Sequence, residues 1–531
     1  MHRPPTAEAE VAAELAALRP ALVPRWTAEL PGARAAVLTR LWRALAHEPL
    51  PWIERSERSR AGGQDGDRAG NREGSREGLL LRLADGRRLH GPHADPYATS
   101  DYVTEVRLDG VAYTEPARLM TELAVPHGAD FAVELDHSTA SLALSRAGQE
   151  AQSALPDPGP PTGAWPRTDW EWEQRVVDGH PYHPNCRSRP GFSVAEQLAY
   201  GPEHRPSVRL ALLAVPAEEC LVSGEWPDAL RDGGRLAIPV HPWQAAHVLK
   251  RSGELDHSGE EVLTAHPLMS LRTLALPDGP HVKTALSTRL TSSVRDISVA
   301  SIVASAALSS FAESLATRTD GLLHMTRTLG AATADSPDLA AVLRESPRVY
   351  GAPGEHVVPV AALAGTELAR SPAWLAEFAR LTLTVGLRLL ELGVALEAHG
   401  QNLLVVLSAS GAPLRLVYRD LADIRVSPAR LARHGVPLPP DLPDRILTDD
   451  VTALRRKLFG SLVAGALAGT AGSREALRAA LEAAVRELPR TPDLVALCES
   501  PLPVKALTLM RLSPGVAGDQ WAGLPNPLTE G

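Results

Sequence analysis

Residues 402–408 and 414–420, NLLVVLS and LRLVYRD, are two strand-like runs joined by Ala-Ser-Gly-Ala-Pro, which reads as a hairpin. A turn centred near residues 410 and 411 sets Asn402 nearly opposite Arg419 and Asp420, at the open end of the ladder. An amide oxygen and a carboxylate converging there make a hard-oxygen site suited to magnesium and its bound phosphates. Glu397, His399 and Gln401 lie on the approach to the same end. The bland alternative is a helix capped by Gly400 with these polar groups merely solvated.

A second pair of runs, MSLRTLAL (269–276) and HVKTALSTRLTS (281–292), flanks Pro-Asp-Gly-Pro. With the turn between Asp278 and Gly279, Ser270 and Arg272 share a face with Lys283, Ser287 and Arg289. A one-residue slip reverses that inference. The following TSSVRDISVASIVASAAL reads as a helix starting at Thr291, Ser292 and Ser293, with Arg295 in its first turn. A basic strand face feeding a helix N-terminus would receive an anion. The alternative is a surface hairpin with solvated arginines, which accounts poorly for Lys283. Only four of the 54 basic residues are lysines, namely Lys250, Lys283, Lys457 and Lys505. A lysine kept against that background points to a position needing a compact ammonium.

The third segment is GHPYHPNCRSRPGF, residues 179–192, followed by YGPEH. Prolines after His180 and His183 make it an extended loop and not a zincin helix. No HExxH and no cysteine pair accompanies these histidines or His241, so a zinc hydrolase is disfavoured. Rigid loops presenting histidines with Arg187 and Arg189 suit phosphates and carboxylates. Nucleophile-elbow, P-loop and dinucleotide fingerprints are absent.

These groups need a scaffold of several domains, and 531 residues with 44% hydrophobic content suffice for it. A helix is expected over about 33–48, and a long buried one over 372–398. Residues 54–78 are charged and Gly-rich and read as a mobile surface loop. Residues 156–166 form a Pro-rich connector. Helices with antiparallel strands give the class α+β. The net charge of −9 argues against nucleic acid or a membrane surface as partner. Three scattered cysteines and an N-terminus without an apolar run lead us to expect a soluble, cytoplasmic protein.

Taken together, GHPYHP with SRPGF, YGPEH, IPVHPWQ, SLRT, the Lys283–TSSVR stretch, EAHGQN and YRD resemble the siderophore synthetases that work independently of non-ribosomal peptide synthetases, the aerobactin-synthase-like family. The motifs run in the family's order across roughly 179–425; the N-terminal third matches loosely. The resemblance implies a cupped hand of thumb (1–155), fingers (156–335) and palm (336–531), and a homodimer. It implies ATP and Mg2+, with a carboxylic acid such as citrate or a citrate- or succinate-derived acid adenylated with release of pyrophosphate. An amine or hydroxyl then displaces AMP to form an amide or ester.

Position by position, the resemblance implies nucleotide contacts for Ser270, Arg272 and Thr273, and phosphate contacts for Lys283. Thr291 and Arg295 would hold phosphate and substrate carboxylate, with His180 and His183 at the phosphate end. His399 and Gln401 match positions near the substrate carboxylates. Asn402 and Asp420 match nucleotide and magnesium positions, and Glu397 is a lesser metal candidate. Arg187 stands where the family commonly has lysine, which weakens it as a phosphate ligand.

Two other classes compete. EAHGQN followed by a strand and YRD also looks like the catalytic loop and metal aspartate of a small-molecule kinase, but no Gly-rich lid precedes it. A non-catalytic anion- or siderophore-binding protein would bind without ATP turnover.

Overall fold

The structure is a computed structural model that describes residues 6–54, 78–149, 165–250, 262–291, 293–440 and 442–529. The expected loop at 54–78, apart from its two end residues, and most of the 156–166 connector lie outside them. The chain is a mixed α+β fold in which antiparallel sheets predominate. No helix among the described residues is long and apolar enough to cross a membrane.

The N-terminal part packs the helix Val23–His47 on Gly128–Ala147, beside a five-stranded antiparallel meander. The first helix begins ten residues before the expected Ala33 and passes through Pro31. Burial overrides the proline: Trp26 is 3% exposed and its Nε1 donates to the Ala140 carbonyl at 3.1 Å.

A nine-stranded sheet follows. Its centre is formed by Ala340–Arg344, His281–Thr284, Thr273–Ala275 and Val262–Pro267, in that order. The sheet runs to Arg344, so a boundary at 335 would divide the hairpin Thr328–Thr333/Ala340–Arg344.

Two expectations fail here. Thr273, not Leu274, lies opposite Lys283, a slip of one residue that takes Arg272 off the Lys283 face. The cause is Asp278 in the left-handed region at φ 51°, which centres the turn on itself and pairs Leu276 with Pro280. The long second strand also breaks at Ala285, and Leu286–Leu290 leaves the sheet to pair with Ser293–Arg295. Thr291 turns that ribbon at φ 58°. The helix therefore begins only at Val299, where the Ser298 hydroxyl accepts the Ser301 N–H. Arg295 is thus a strand residue and no helix N-terminus lies behind it.

The C-terminal part holds a four-stranded sheet ordered Leu323–Met325, Pro413–Tyr418, Leu403–Leu407, His356–Pro359, with the first pair parallel. The helix Pro372–Leu392 packs on it with Phe378, Leu389 and Leu390 fully buried. It stops six residues short of the expected 398, at Gly393 with φ 109°. A Cβ there would sit 2.8 Å from the Arg430 Cβ, so glycine serves both the turn and the close approach. Gly400 caps nothing.

Candidate active site

The site forms where the nine-stranded sheet meets the Asn402 hairpin. Leu403 pairs with Tyr418, and the Arg419 N–H donates to the Asn402 carbonyl at 3.0 Å. The register is the one read from the sequence. The next residue, Asp420, adopts φ 72° and directs its carboxylate across to the large sheet. Lys283 Nζ lies 2.8 Å from Asp420 Oδ2, and Arg344 Nη2 lies 3.0 Å from Oδ1. Both cations share one sheet face, because His281 pairs with Arg344 and Lys283 with Val342 on adjacent strands.

Positive charge exceeds negative here. Burial alone would raise the Asp420 pKa, but Arg344 and Lys283 hold it well below the usual range. Burial brings Lys283 down to about 7; Asp420 opposes this, while Arg344 and Arg272 add to it. Burial, together with Arg295, also lowers Arg272, to about 10. Arg272 is fixed by donating Nη1 to the Arg295 and Asp296 carbonyls. It thus reaches the cluster from the loop before its strand and not by ladder alternation.

The histidines share one geometry. His180, His183, His241 and His399 each accept at Nδ1 the backbone N–H two residues on, at 3.1, 3.0, 3.1 and 3.3 Å. In the first three an intervening proline fixes φ and brings that N–H round. An accepting Nδ1 places the proton of the neutral ring on Nε2. Burial lowers all four pKa values, to about 3 for His183 and His241. His180, His183 and His399 therefore present neutral N–H donors near Arg295 and one another. His241 sits apart from them, against Tyr200.

Other expected residues are placed as follows. The Ser270 hydroxyl accepts the Thr273 N–H at 3.1 Å and so shapes the SLRT loop. Thr273 lies opposite Lys283, and Thr291 occupies the ribbon turn beside Arg295. The Gln401 carbonyl accepts from Arg419 at 2.9 Å. Arg187 is not brought to the site. Its guanidinium donates to the Val176 and Val177 carbonyls and faces Glu203, so it braces the loop from behind. Glu397 is drawn away from metal binding: its Oε1 meets Lys505 at 2.8 Å and Lys457 at 3.1 Å. Against burial, these lysines hold its pKa at about 2.

Residues not anticipated complete the site. Arg344 belongs to a strand with no motif, and only its pairing partner reveals it. Glu173, 1% exposed, accepts the Met269 N–H at 2.9 Å and meets Arg419 at 2.7 Å, tying the SLRT loop to the hairpin. Tyr418 Oη accepts the Glu397 N–H and donates to the Asp420 carbonyl, both at 3.2 Å.

Among the described residues no group of three or more His, Cys, Asp or Glu is arranged to hold a metal. Asp420 has both oxygens paired with Lys283 and Arg344, and the Asn402 amide nitrogen donates to the Glu397 carbonyl at 3.3 Å, so these two oxygen donors fit a magnesium carried mostly by phosphate oxygens only once the phosphates have taken over the Asp420 cations.

Residues 168–365 match the IucA / IucC family, and residues 372–519 match the ferric iron reductase FhuF-like transporter family. The petrobactin biosynthesis protein AsbB from Bacillus anthracis superposes with a TM-score of 0.73 at 18% identity, over 96% of this chain and 97% of that one. ATP-bound aerobactin synthetase IucA from Klebsiella pneumoniae gives 0.65 at 18% identity, over 93% and 99%. In sequence, the citryl-spermidine/3,4-dihydroxybenzoyl-citryl-spermidine:spermidine ligase of Bacillus anthracis is 25% identical over 312 residues, 48% of this chain and 51% of that protein. The chain thus spans about half the length of the curated relatives it matches most extensively. It carries an IucA/IucC domain and is a homologue of the siderophore synthetases that act independently of non-ribosomal peptide synthetases.

Proposed function

We propose that the chain is an ATP-dependent ligase of siderophore biosynthesis. It would join a carboxylic acid, citrate or a citrate- or succinate-derived acid, to an amine or hydroxyl. The observation that carries this reading is the gathering of Arg272, Lys283, Arg295 and Arg344 at the meeting of the two sheets, where Asp420 is the one carboxylate among the described residues that ion-pairs with any of them, while Asp296, Glu397 and Asp423 act on Arg272 and Arg295 at longer range. Such a cluster favours a polyanion, and phosphate oxygens compete with Asp420 for the same cations.

In the proposed reaction the acid's carboxylate oxygen attacks the α-phosphorus and pyrophosphate departs with the electron pair of the broken P–O bond. The amine or hydroxyl then attacks the acyl carbon, AMP leaves, and the nucleophile's proton is lost to solvent. Lys283, Arg272 and Arg344 would offset the charge growing on the leaving pyrophosphate. Arg295 would hold the attacking carboxylate in line. The Nε2–H groups of His180, His183 and His399 add hydrogen bonds without adding charge. Magnesium, when bound with ATP at Asp420 and Asn402, would neutralise phosphate charge. In this proposal residues 1–155, the nine-stranded unit and the C-terminal unit are thumb, fingers and palm around one cleft.

The test is a panel of carboxylic acids, including citrate and succinylated hydroxamates, assayed for pyrophosphate release with and without amines. Release that needs an acid and rises with an amine is expected. ATP turnover indifferent to every acid would contradict the proposal.

A further inference from the structure

A cavity of about 190 Å3 lies outside this cleft, between the helix Val23–His47 and the loop that carries His180 and His183. Trp42, Leu79, Pro96 and Tyr182 give it apolar walls, and its polar lining is Arg40 and Arg43 with His47, His93 and Asp95. The two guanidiniums have no carboxylate within ion-pair distance among the described residues. Arg43 donates Nε to the Pro96 carbonyl at 2.7 Å and lies 4.3 Å over the Tyr182 ring. No partner is found there for its Nη1 or Nη2. Arg40 spends its donors on the Pro181 carbonyl at 3.0 Å, Cys186 Sγ at 2.9 Å and the Asp178 carbonyl at 3.4 Å.

The acids in and around the cavity already have partners of their own. Asp95 accepts the Tyr97 N–H and the Arg474 N–H, at 2.8 and 2.6 Å. Glu48 accepts those of Thr508 and Leu509, at 3.2 and 2.7 Å. Asp178 is held by Arg146 at 2.9 Å. Burial lowers the Arg43 pKa, and Tyr182, Glu48, Tyr97 and Asp95 only partly offset the desolvation of its charge. A desolvated guanidinium fork beside empty apolar space is matched by a bidentate anion with an apolar body. A cavity of about 150 Å3 accepts a benzene ring, so this one has room for a small organic acid.

We propose that this cavity is a second binding site, specific for a small organic carboxylate held bidentately by Arg43 between Trp42 and Tyr182. It is separate from the phosphate cleft and does not depend on the ligase reading. Its wall at Pro181 and Tyr182 lies between His180 and His183, so an occupant would pack against the loop that presents those donors.

The experiment is calorimetric titration of the full chain, without ATP, using benzoate and succinate, with inorganic phosphate as the comparison anion. Wild type, Arg43→Met, Ala46→Leu and Arg295→Ala are compared. At least one carboxylate should bind wild type and Arg295→Ala alike, and at least tenfold more weakly to Arg43→Met. Ala46→Leu keeps the charge and fills the cavity from its lining; it should lose binding too, and it decides the matter if Arg43→Met does not fold. Absence of carboxylate binding at millimolar concentration, preference for phosphate, binding unchanged in the cavity variants, or loss in Arg295→Ala would each overturn the proposal.

Discussion

Two partly buried acids, Asp420 and Glu397, have their backbones linked through Tyr418 Oη, and each carboxylate is gripped by two cations. They differ in where the cations come from and how they balance. Glu397 and Asp519 face Lys457 and Lys505, two charges against two, all within the C-terminal part of the chain. Asp420 draws Lys283 and Arg344 from the nine-stranded sheet, with Arg272 and Arg295 added nearby. A balanced group holds a fold together and has no charge to spare. An unbalanced one can take an anion, and it joins two sheets that must close around that anion. Three of the four lysines enter these two clusters, so their scarcity marks two distinct uses.

The comparison breaks most sharply at the unbalanced cluster. Lys283→Ala and Arg295→Ala should each reduce acid-dependent pyrophosphate release by ~100-fold or more with the fold intact, since Arg344 still partners Asp420. Near-normal release in either variant would remove that residue from the chemistry.

A pH series sharpens it. Lys283 has a folded pKa of about 7, below its ordinary value, so its charge is present below pH 7 and lost above. The kcat/KM for ATP should fall by about tenfold per pH unit above that point. Lys283→Arg keeps a cation throughout, so its profile should be flat there. An unchanged inflection would assign the titration to another group.

The smallest effect on rate belongs to the balanced cluster. Glu397→Gln should cost about 2–3 kcal/mol of stability, less than a wholly stranded buried pair because Asp519 remains. Turnover at 25 °C should change by less than about threefold. Denaturant unfolding alongside steady-state rates separates the two; a large loss of rate at unchanged stability would move Glu397 into the chemistry.

What was legible follows from how local the information is. The Asn402–Asp420 register could be read because two unbroken apolar runs flank one glycine turn. The Lys283 hairpin was misread by one residue because left-handed Asp278, not the Asp-Gly pair, centres the turn. The break at Ala285 and the start of the helix at Val299 were hidden, since both depend on which distant strand accepts each segment. Arg344 and Glu173 were invisible for the same reason: their partners lie 76 and 246 residues away, at Asp420 and Arg419. Arg187 misled because a charge in a motif was read as facing the ligand, when it faces carbonyls.

The central claim is that the unbalanced cluster serves adenylation of an acid. The most direct measurement is analysis of the nucleotide products from ATP, a carboxylic acid and an amine, in wild type and in Lys283→Ala. The account predicts AMP and pyrophosphate in equal amounts from wild type, only with the acid present, and neither from Lys283→Ala. ADP as the sole nucleotide product, or undiminished AMP from Lys283→Ala, would contradict it.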